Sequence, residues 1–282
     1  MSWNRNRTAT ARGEFEVFVK GEGTPICVTH HYSEFNETGD YFAEAFTTTN
    51  QVFLINLREA GNSTKAEHPH QLSMLETVLD LEAIREQLGF DQWGFAGHST
   101  GGMLGVLYGI YFSDHLSFNI LVGAAAREYM TFSEDCIYNP KHPQFQKMQN
   151  LMESLKQPDL PPEEKTELKI HRIQLSLADP NKYEEYFSKN IRKEISATRL
   201  NFFSRELHVF DVTRKLTLIT APTLIICGKH DVQCPLEYSV EMGGLIPNSV
   251  LAIFGNSNHY PFLEEAERFT TAYTSFVNRL SE

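Results

Sequence analysis

The sequence Gly97-His-Ser-Thr-Gly101 constrains the fold of this chain more than any other segment. It follows an apolar run with strand character at 92–96 and precedes an apolar run with helical character at 102–112. In that context Gly-x-Ser-x-Gly is typical of a sharp turn, which holds the serine in a strained conformation with its hydroxyl exposed. The segment therefore predicts a strand–turn–helix unit with Ser99 as a candidate nucleophile. The alternative is an incidental serine in a glycine-rich turn.

Several apolar runs have the length and composition of strands. Alternation from Glu14 to Lys20 predicts a half-exposed strand, and Gly21-Glu-Gly23 predicts a hairpin turn into a buried strand at 25–29. Continuous apolar runs of this kind are typical of strands that are buried on both faces. The further predicted strands lie at 52–56, 92–96, 118–122, 223–227 and 250–254.

Helical patterns separate these strands. Ser73 and Glu76 have the spacing of a capping box, apolar residues then recur at helical intervals, and Gly89 is placed to end the helix. Another helix is predicted at 102–112, and a closing helix at 264–279. Strands that alternate with helices predict an α/β fold, with a mostly parallel sheet and helices on both faces.

The segment 127–214 differs from the rest of the chain. It is charged, aromatic and helical in character, with a break at 158–162, where the sequence reads Pro-Asp-Leu-Pro-Pro. Because ligands bind at the carboxyl edge of open α/β sheets, an insert between two strands predicts a lid over that edge. We expect a core formed by residues 1–126 and 215–282, and a helical cap formed by residues 127–214.

Composition limits the class of partner. The 282 residues include 25 Lys and Arg against 36 Asp and Glu, a formal charge of −11 without a basic cluster, which argues against nucleic-acid binding. No apolar run approaches the roughly 20 residues of a membrane span, and the first twelve residues lack a signal-peptide core. These features predict a cytoplasmic protein that acts on a small molecule, without a nucleic-acid or membrane partner; they leave the oligomeric state open.

The four cysteines carry no sign of a metal or redox site. They form no Cys-x-x-Cys pair, and no histidine cluster has metal-ligand spacing. Cys27 and Cys227 lie inside apolar strand-like runs, where a thiol usually acts as a small buried hydrophobic group. We therefore expect neither a metal nor an organic cofactor.

A nucleophilic serine needs a base, and the base needs an orienting acid. With this type of turn the chain order is serine, then acid, then histidine. Asp231 follows the predicted strand 223–227 and His259 follows the strand 250–254, so both loops leave the sheet edge where Ser99 lies. His98 and His230 are competing candidates; we expect His98 to be structural and to point away from the base position.

The chain resembles the α/β-hydrolase superfamily over nearly its whole length outside the insert, and its prolyl-iminopeptidase-like and small-esterase branch in particular. Pro25-Ile-Cys-Val-Thr-His-His-Tyr32 is similar to a strand of that branch that ends in His-Gly-x. Asn56-Leu-Arg-Glu-Ala-Gly-Asn-Ser63 is similar to its Asp-x-Arg-Gly-x-Gly-x-Ser loop. The loops around Asp231 and His259 match its acid and base loops.

This resemblance implies that Ser99 is the nucleophile, Asp231 the acid and His259 the base. It also implies that the backbone N–H groups of Thr100 and Tyr32 form the oxyanion hole. Two residues depart from the pattern: His31 replaces the usual glycine and Asn56 replaces the usual aspartate. Histidine is among the residues that tolerate unusual backbone angles, so the hole can survive the first change.

Substrate choice is expected to depend on the insert. Its aromatic residues are candidates for the pocket, although aromatic residues at helical spacing are more often core. The candidates are Tyr129, Phe132, Tyr183, Tyr186, Phe187, Phe202 and Phe203, and we also assign substrate contacts to His30 and His31.

The predicted function is a serine hydrolase that cleaves a small carboxylic ester, lactone or amide through an acyl-enzyme. One alternative is a proline iminopeptidase, which needs lid carboxylates for a free amino terminus; Glu184, Glu185, Glu194 and Glu206 are available. Another is a binding or sensor protein of the same fold that does not turn over.

Overall fold

A computed structural model describes residues 2–157 and 159–280 of the chain. Its centre is an eight-stranded sheet with the order β1-β2-β5-β3-β6-β7-β9-β10, beside a small two-stranded sheet of β4 and β8. The strands are β1 (Asn4–Thr10), β2 (Gly13–Lys20), β3 (Thr24–Thr29), β4 (Ser33–Glu34), β5 (Asn50–Ile55), β6 (Trp93–His98), β7 (Leu116–Val122), β8 (Glu194–Ile195), β9 (Thr223–Gly228) and β10 (Ser249–Phe254).

Helices connect most of these strands. The α-helices are α1 (Tyr41–Glu44), α2 (Met74–Gln87), α3 (Thr100–Phe112), α4 (Phe145–Leu155), α5 (Pro162–Gln174), α6 (Tyr183–Tyr186), α7 (Ala197–Glu206), α8 (Leu236–Leu245), α9 (Pro261–Glu264) and α10 (Ala266–Leu280). Short 3₁₀ segments lie at Pro69–Leu72, Ser113–His115, Pro180–Lys182, Leu207–Val209 and Thr213–Leu218. None of the helices described is long and apolar enough to cross a membrane.

The sheet is parallel from β5 to β10 and antiparallel at the β1–β2 edge. Strands β6 and β9 are buried along their whole length, as their continuous apolar sequences predict. Because parallel neighbours need crossovers, helices cover both faces, and the predicted α/β architecture is confirmed.

The predicted hairpin between Glu14–Lys20 and the strand at 25–29 is wrong. Strand β2 pairs with β1 on one side and with β5 on the other, and β3 lies between β5 and β6. Gly21 has a φ of 83°, and a Cβ there would lie 2.2 Å from the carbonyl oxygen of Asn50, so this glycine serves a close crossing, not a hairpin turn. The sequence does not reveal β1 because it is polar and mostly exposed at the sheet edge.

Helix α2 begins and ends where the sequence predicts. The Ser73 hydroxyl accepts a hydrogen bond from the backbone N–H of Glu76 at 3.2 Å, and Gly89 follows the helix with a φ of 78°. The capping box is only half formed, since the Glu76 carboxylate binds Arg12 and not the backbone N–H of Ser73. The helix end is therefore tied to the β1–β2 turn.

Hydrophobic clusters cover both faces of the sheet. Helices α2 and α3 pack on one face, where Leu81 and Leu104 lie in one cluster with Trp93 of β6, and α10 packs on the other face with Phe269 and Phe276. All four cysteines are buried and free, which confirms the expectation for Cys27 and Cys227. This core holds the carboxyl ends of the strands in fixed positions.

The insert, residues 127–214, leaves the sheet after β7 and returns before β9. Its ends are joined by an antiparallel bridge between Arg127 and Asp211, and the N–H of Val212 donates to the carbonyl oxygen of Ala126 at 2.9 Å. Pro158, at the predicted break, lies outside the described residues; Pro162 begins α5. Strand β8 of the insert pairs with β4 of the core, so the two parts share backbone hydrogen bonds.

Candidate active site

Ser99 occupies the sharp turn between β6 and α3. Its φ of 56° and ψ of −121° are strained for a residue with a Cβ. The backbone N–H of Ser99 donates to the carbonyl oxygen of Val122 at 2.8 Å, which fixes the turn to the end of β7. The residue is half-buried, so it stays partly accessible at the carboxyl edge of the sheet.

The glycines of the motif are required by close backbone approaches. A Cβ at Gly97 would lie 2.1 Å from the carbonyl oxygen of Gly101, and a Cβ at Gly101 would lie 2.3 Å from the carbonyl oxygen of Thr29. Real Cβ contacts are never this short, so any side chain would displace the turn. The strained serine and its two glycines therefore form one unit, as the sequence predicts.

Asp231 and His259 meet at the ends of β9 and β10. The Nδ1 atom of His259 lies 2.9 Å and 3.0 Å from the two carboxylate oxygens of Asp231, and both residues are buried. The carboxylate also accepts backbone hydrogen bonds from Gln233 and Cys234, each at 2.9 Å. In the neutral imidazole this contact places the proton on Nδ1, and that tautomer has Nε2 as its acceptor.

The end of β7 brings the serine turn next to this pair. Val122 accepts the N–H of Ser99, and the next residue, Gly123, has a φ of 53°. A Cβ at Gly123 would lie 2.9 Å from Oδ2 of Asp231 and 3.3 Å from Nδ1 of His259. Two consecutive residues of one strand end thus contact the serine turn on one side and the acid–histidine pair on the other.

His98 packs on His259, contrary to the expectation that it points away. The two ring centroids are 4.5 Å apart, and Nε2 of His98 donates to the carbonyl oxygen of His259 at 2.7 Å. Burial, with a further contribution from His259, holds the pKa of His98 well below its usual range, so the ring is neutral. His98 therefore supports the backbone of His259. The other candidate, His230, is exposed.

His30 links the loop after β3 to the serine turn. Its Nδ1 lies 2.9 Å from Oγ of Ser33, and its Nε2 lies 3.1 Å from Oγ1 of Thr100. Both ring nitrogens are engaged within the protein, and a contact between His30 and substrate stays a prediction. Within the described ranges, the backbone N–H groups of Thr100 and Tyr32 donate no hydrogen bond to the protein.

The two departures from the family pattern are accommodated locally. His31 is not among the residues with positive φ, so its position does not require glycine, and its buried ring packs edge-on against Phe203 at 5.5 Å. Burial and the charge of Arg199 hold the pKa of His31 well below its usual range. Asn56 donates to Oε2 of Glu16 at 2.7 Å, where an aspartate would oppose a second carboxylate.

The candidate pocket residues of the insert divide by exposure. Tyr129 and Phe203 are buried in the main hydrophobic cluster, and Phe132 is 72% exposed, which places it on the surface. Half-buried rings are those of Tyr183, Tyr186, Phe187 and Phe202. Phe187 reaches the site, since its ring lies 5.6 Å from that of Tyr260, the neighbour of His259. Substrate contacts for all of these residues remain predictions.

The candidate carboxylates for an aminopeptidase are either exposed or bonded within the protein. Glu184, Glu185 and Glu194 are exposed. Glu206 is half-buried, and both of its carboxylate oxygens accept the N–H of Met74, at 3.0 Å and 3.2 Å. Glu206 therefore caps α2.

Sequence patterns did not reveal two polar residues beside the site. Gln233 donates its backbone N–H to Asp231, and its side chain bonds Ser176 and Tyr138, each at 2.9 Å. Arg199, from α7, is fully buried against the loop that contains His31. Their partners are distant in sequence, so no local motif marks them; an arginine within a helix otherwise reads as a solvent-exposed residue.

A family model described as alpha/beta hydrolase fold matches residues 18–266 of the chain. A pimeloyl-(acyl-carrier protein) methyl ester esterase of Vibrio atlanticus is 20% identical over 274 residues, 93% of this chain and 97% of the relative. A proline iminopeptidase of Heyndrickxia coagulans is 24% identical over 288 residues, 95% of this chain and 96% of the relative.

Solved structures share the whole fold. An alpha/beta fold family hydrolase from Bacillus anthracis str. Sterne superposes with a TM-score of 0.94 and 42% identity, and the match covers 99% of this chain and 100% of the other. An enol-lactonase from Burkholderia xenovorans LB400 superposes with a TM-score of 0.71 and 16% identity, covering 97% of this chain and 100% of the other. The second match concerns the fold alone.

Proposed function

The chain belongs to the α/β-hydrolase fold family of enzymes, and we propose that it is a serine hydrolase for a small carboxylic ester, lactone or amide. One observation carries this proposal. A strained serine turn and a buried aspartate–histidine pair adjoin the same strand end, with Ser99 bonded to Val122 and Gly123 against Asp231 and His259. We further propose that residues 127–214 form the cap that selects the substrate.

The proposed reaction proceeds in two steps. His259 takes the hydroxyl proton of Ser99 at Nε2 while the serine oxygen attacks the carbonyl carbon of the substrate. The leaving alcohol or amine departs with that proton, and the acyl group stays on Ser99. A water molecule, deprotonated by His259, then attacks the acyl carbon, and His259 returns that proton to the oxygen of Ser99 as the bond to the acyl group breaks and the acid is released. Asp231 stabilises the imidazolium in both steps.

The amides of Thr100 and Tyr32 are proposed to stabilise the oxyanion of each tetrahedral intermediate. Thr100 is the first residue of α3, where backbone N–H groups have no partner inside the helix. Removal of one such donor typically costs about 2.7–4 kcal/mol of barrier. All of these steps use only side chains, backbone amides and water.

Esters and lactones are favoured over amino-terminal peptides. An aminopeptidase needs a carboxylate in the cap to bind the substrate ammonium, and the half-buried candidate, Glu206, is engaged in capping α2. The exposure of Glu184 and Glu185 supports the same conclusion. Among the relatives, the methyl ester esterase is therefore the better guide to chemistry than the iminopeptidase.

The first test is intact-mass analysis after treatment with a fluorophosphonate probe, followed by hydrolysis assays with short p-nitrophenyl esters, lactones and proline p-nitroanilide. We expect stoichiometric labelling at Ser99 and turnover of esters. Both are lost in Ser99→Ala and kept in Ser204→Ala, which removes an exposed hydroxyl of α7. Turnover that persists in Ser99→Ala contradicts the proposal. Labelling without turnover favours a ligand-binding protein.

A further inference from the structure

Arg199 is a buried cation that forms no direct ion pair with any of the residues that the structure describes. The side chain is fully buried, and no carboxylate of the described residues lies within 4.0 Å of its guanidinium. The neighbouring carboxylate, Asp80, is held by Arg58 through two hydrogen bonds of 3.0 Å. Burial lowers the pKa of Arg199 to about 9, so the group is still charged at neutral pH. Asp80 and Glu206 act on this charge from a distance, but a buried charge without a direct ion pair is still costly to keep, which points to a role other than stability.

Neutral acceptors take all the assigned hydrogen bonds of this guanidinium. Its Nε donates to the carbonyl oxygen of His31, and its Nη1 donates to that of Arg58 at 2.9 Å. Its Nη2 reaches Oγ1 of Thr77 at 2.8 Å and Nδ1 of His31 at 3.1 Å. The planar fork of arginine thus holds both the backbone and the ring of His31.

The carbonyl of His31 and the N–H of Tyr32 belong to the same peptide unit. The described chain has no cis peptide bond, so this N–H points away from the carbonyl that Arg199 holds. A charged donor on the oxygen fixes the plane of the peptide. It also draws electron density toward the oxygen, which strengthens the N–H as a donor.

The same segment of the insert holds the next peptide as well. The N–H of Ser196 donates to the carbonyl oxygen of Tyr32 at 2.9 Å, and the β4–β8 pairing sets Ser33 opposite Ile195. Residues 195–199 of the insert therefore contact three successive residues of this loop, His31, Tyr32 and Ser33. The geometry of the loop depends on this stretch being in place.

We propose that Arg199 is a positioning residue of the oxyanion hole, which orients and polarises the 31–32 peptide so that the N–H of Tyr32 stabilises the developing charge. Docking of the insert then becomes a condition for catalysis as well as for substrate binding. The inference rests on the proposed function, because it assigns a part of the same site. Arg199 touches the peptide, not the substrate.

The test compares an oxygen ester with the matching thionoester, in which sulfur replaces the carbonyl oxygen. Sulfur accepts hydrogen bonds weakly, so the ratio of the two kcat/KM values reports on the oxyanion hole. We expect Arg199→Met to lower kcat/KM for the ester about 10- to 100-fold, mainly through kcat, since loss of a full donor costs about 10²–10³ in kcat. The oxygen-to-sulfur ratio falls about tenfold, and Arg199→Lys gives an intermediate value because lysine lacks the fork.

Arg85 provides a control for the loss of a buried guanidinium, although it is paired with Glu82. It is also buried and donates to backbone carbonyls, those of Phe90 and Asp91, but it lies on α2 away from the loop. Arg85→Met and Arg85→Lys should leave the oxygen-to-sulfur ratio at the wild-type value. Circular dichroism and thermal unfolding identify the folded variants, and if Arg199→Met does not fold, Arg199→Lys carries the test.

Ser196 supplies a second, independent pair of variants. Ser196→Pro removes the N–H that binds Tyr32, and the φ of −70° at this position suits proline. Ser196→Ala keeps that N–H and removes only the hydroxyl. We expect the ratio to fall in the first variant and not in the second.

The outcomes separate this inference from the proposed function. If wild-type hydrolysis does not depend on Ser99, the proposed function fails and the inference falls with it. If hydrolysis depends on Ser99 but the oxygen-to-sulfur ratio is unchanged in the folded Arg199 variants, the proposed function stands and the positioning role is overturned. A fall in the ratio confined to the Arg199 and Ser196→Pro variants supports the role.

Discussion

Two buried histidines predict that the protein loses stability as the pH falls below neutrality. His31 is fully buried and His98 is 8% exposed, and burial holds the pKa of both well below the usual value. The folded state keeps both rings neutral, whereas the unfolded chain takes up protons below about pH 6.5. Their contribution to stability is therefore present above that pH and is lost as the pH decreases.

The magnitude follows from proton linkage. A ring that stays neutral in the folded state loses about 1.4 kcal/mol of unfolding free energy between about pH 7.5 and pH 5.5, one unit on either side of the unfolded value. His31 and His98 together account for about 2.7 kcal/mol, against a typical total of about 5–15 kcal/mol. Glu206 and Glu264 oppose this trend, because burial raises their pKa values.

The assay is urea unfolding at intervals of about half a pH unit. Trp3 and Trp93 are both buried, so tryptophan fluorescence reports their exposure, and far-ultraviolet circular dichroism tests whether secondary structure is lost in the same transition. The test compares variants with the wild type, because the opposing contributions of Glu206 and Glu264 to the pH dependence are present in every protein compared. His98→Gln keeps a donor for the carbonyl of His259, and His31→Asn keeps an acceptor for Arg199.

We expect each variant to lose about 1.4 kcal/mol less than the wild type over the same pH range. His230→Gln, which replaces an exposed histidine, should retain the wild-type dependence. A wild-type pH dependence in both His98→Gln and His31→Asn would refute the reasoning, since the buried rings would then not be the source.

Two further predictions concern the site. Asp231→Asn should lower kcat about 10⁴-fold with the fold intact, because the amide favours the wrong tautomer of His259, and steady-state kinetics with a p-nitrophenyl ester measures this. Kinetics unchanged in that variant would exclude Asp231 as the acid. Gly97→Ala should abolish labelling of Ser99 and lower the melting temperature, because the new Cβ meets Gly101 at 2.1 Å; a fully labelled, stable variant contradicts the strained turn.

The elements that could be predicted from sequence have local signals. Ser73 and Gly89 mark both ends of α2 through backbone geometry that depends on those residue types. The strands β6 and β9 are apolar throughout because both of their faces are covered. The serine turn also has a local signal, because close backbone packing allows only glycine at positions 97 and 101.

The elements that were missed depend on partners far away in the chain. Strand β1 is polar, and only its pairing with β2 makes it a strand. The hairpin prediction failed because strand order in a sheet is set by tertiary packing, and a glycine-rich connection fits a crossover as well as a turn. In the sequence, Arg199 has the pattern of a surface residue of a helix. Its burial depends on His31 and Arg58, which lie more than 140 positions away in the chain.

The joined ends of the insert affect how such a molecule can diverge. Because Arg127 and Asp211 are bridged, the chain enters and leaves the insert at one point. The length of the insert therefore does not affect the pairing of the strands in the sheet. We propose that changes between these two ends alter the substrate that the insert accepts, while the order of the strands is kept. The stretch from Glu194 to Arg199 is bonded to the core, and so are Ser176, through the backbone N–H of His259, and Glu206, through that of Met74. With the roles proposed for the insert and for Arg199, exchange of the whole insert between relatives would change the specificity and would also remove contacts that support the recipient's active site.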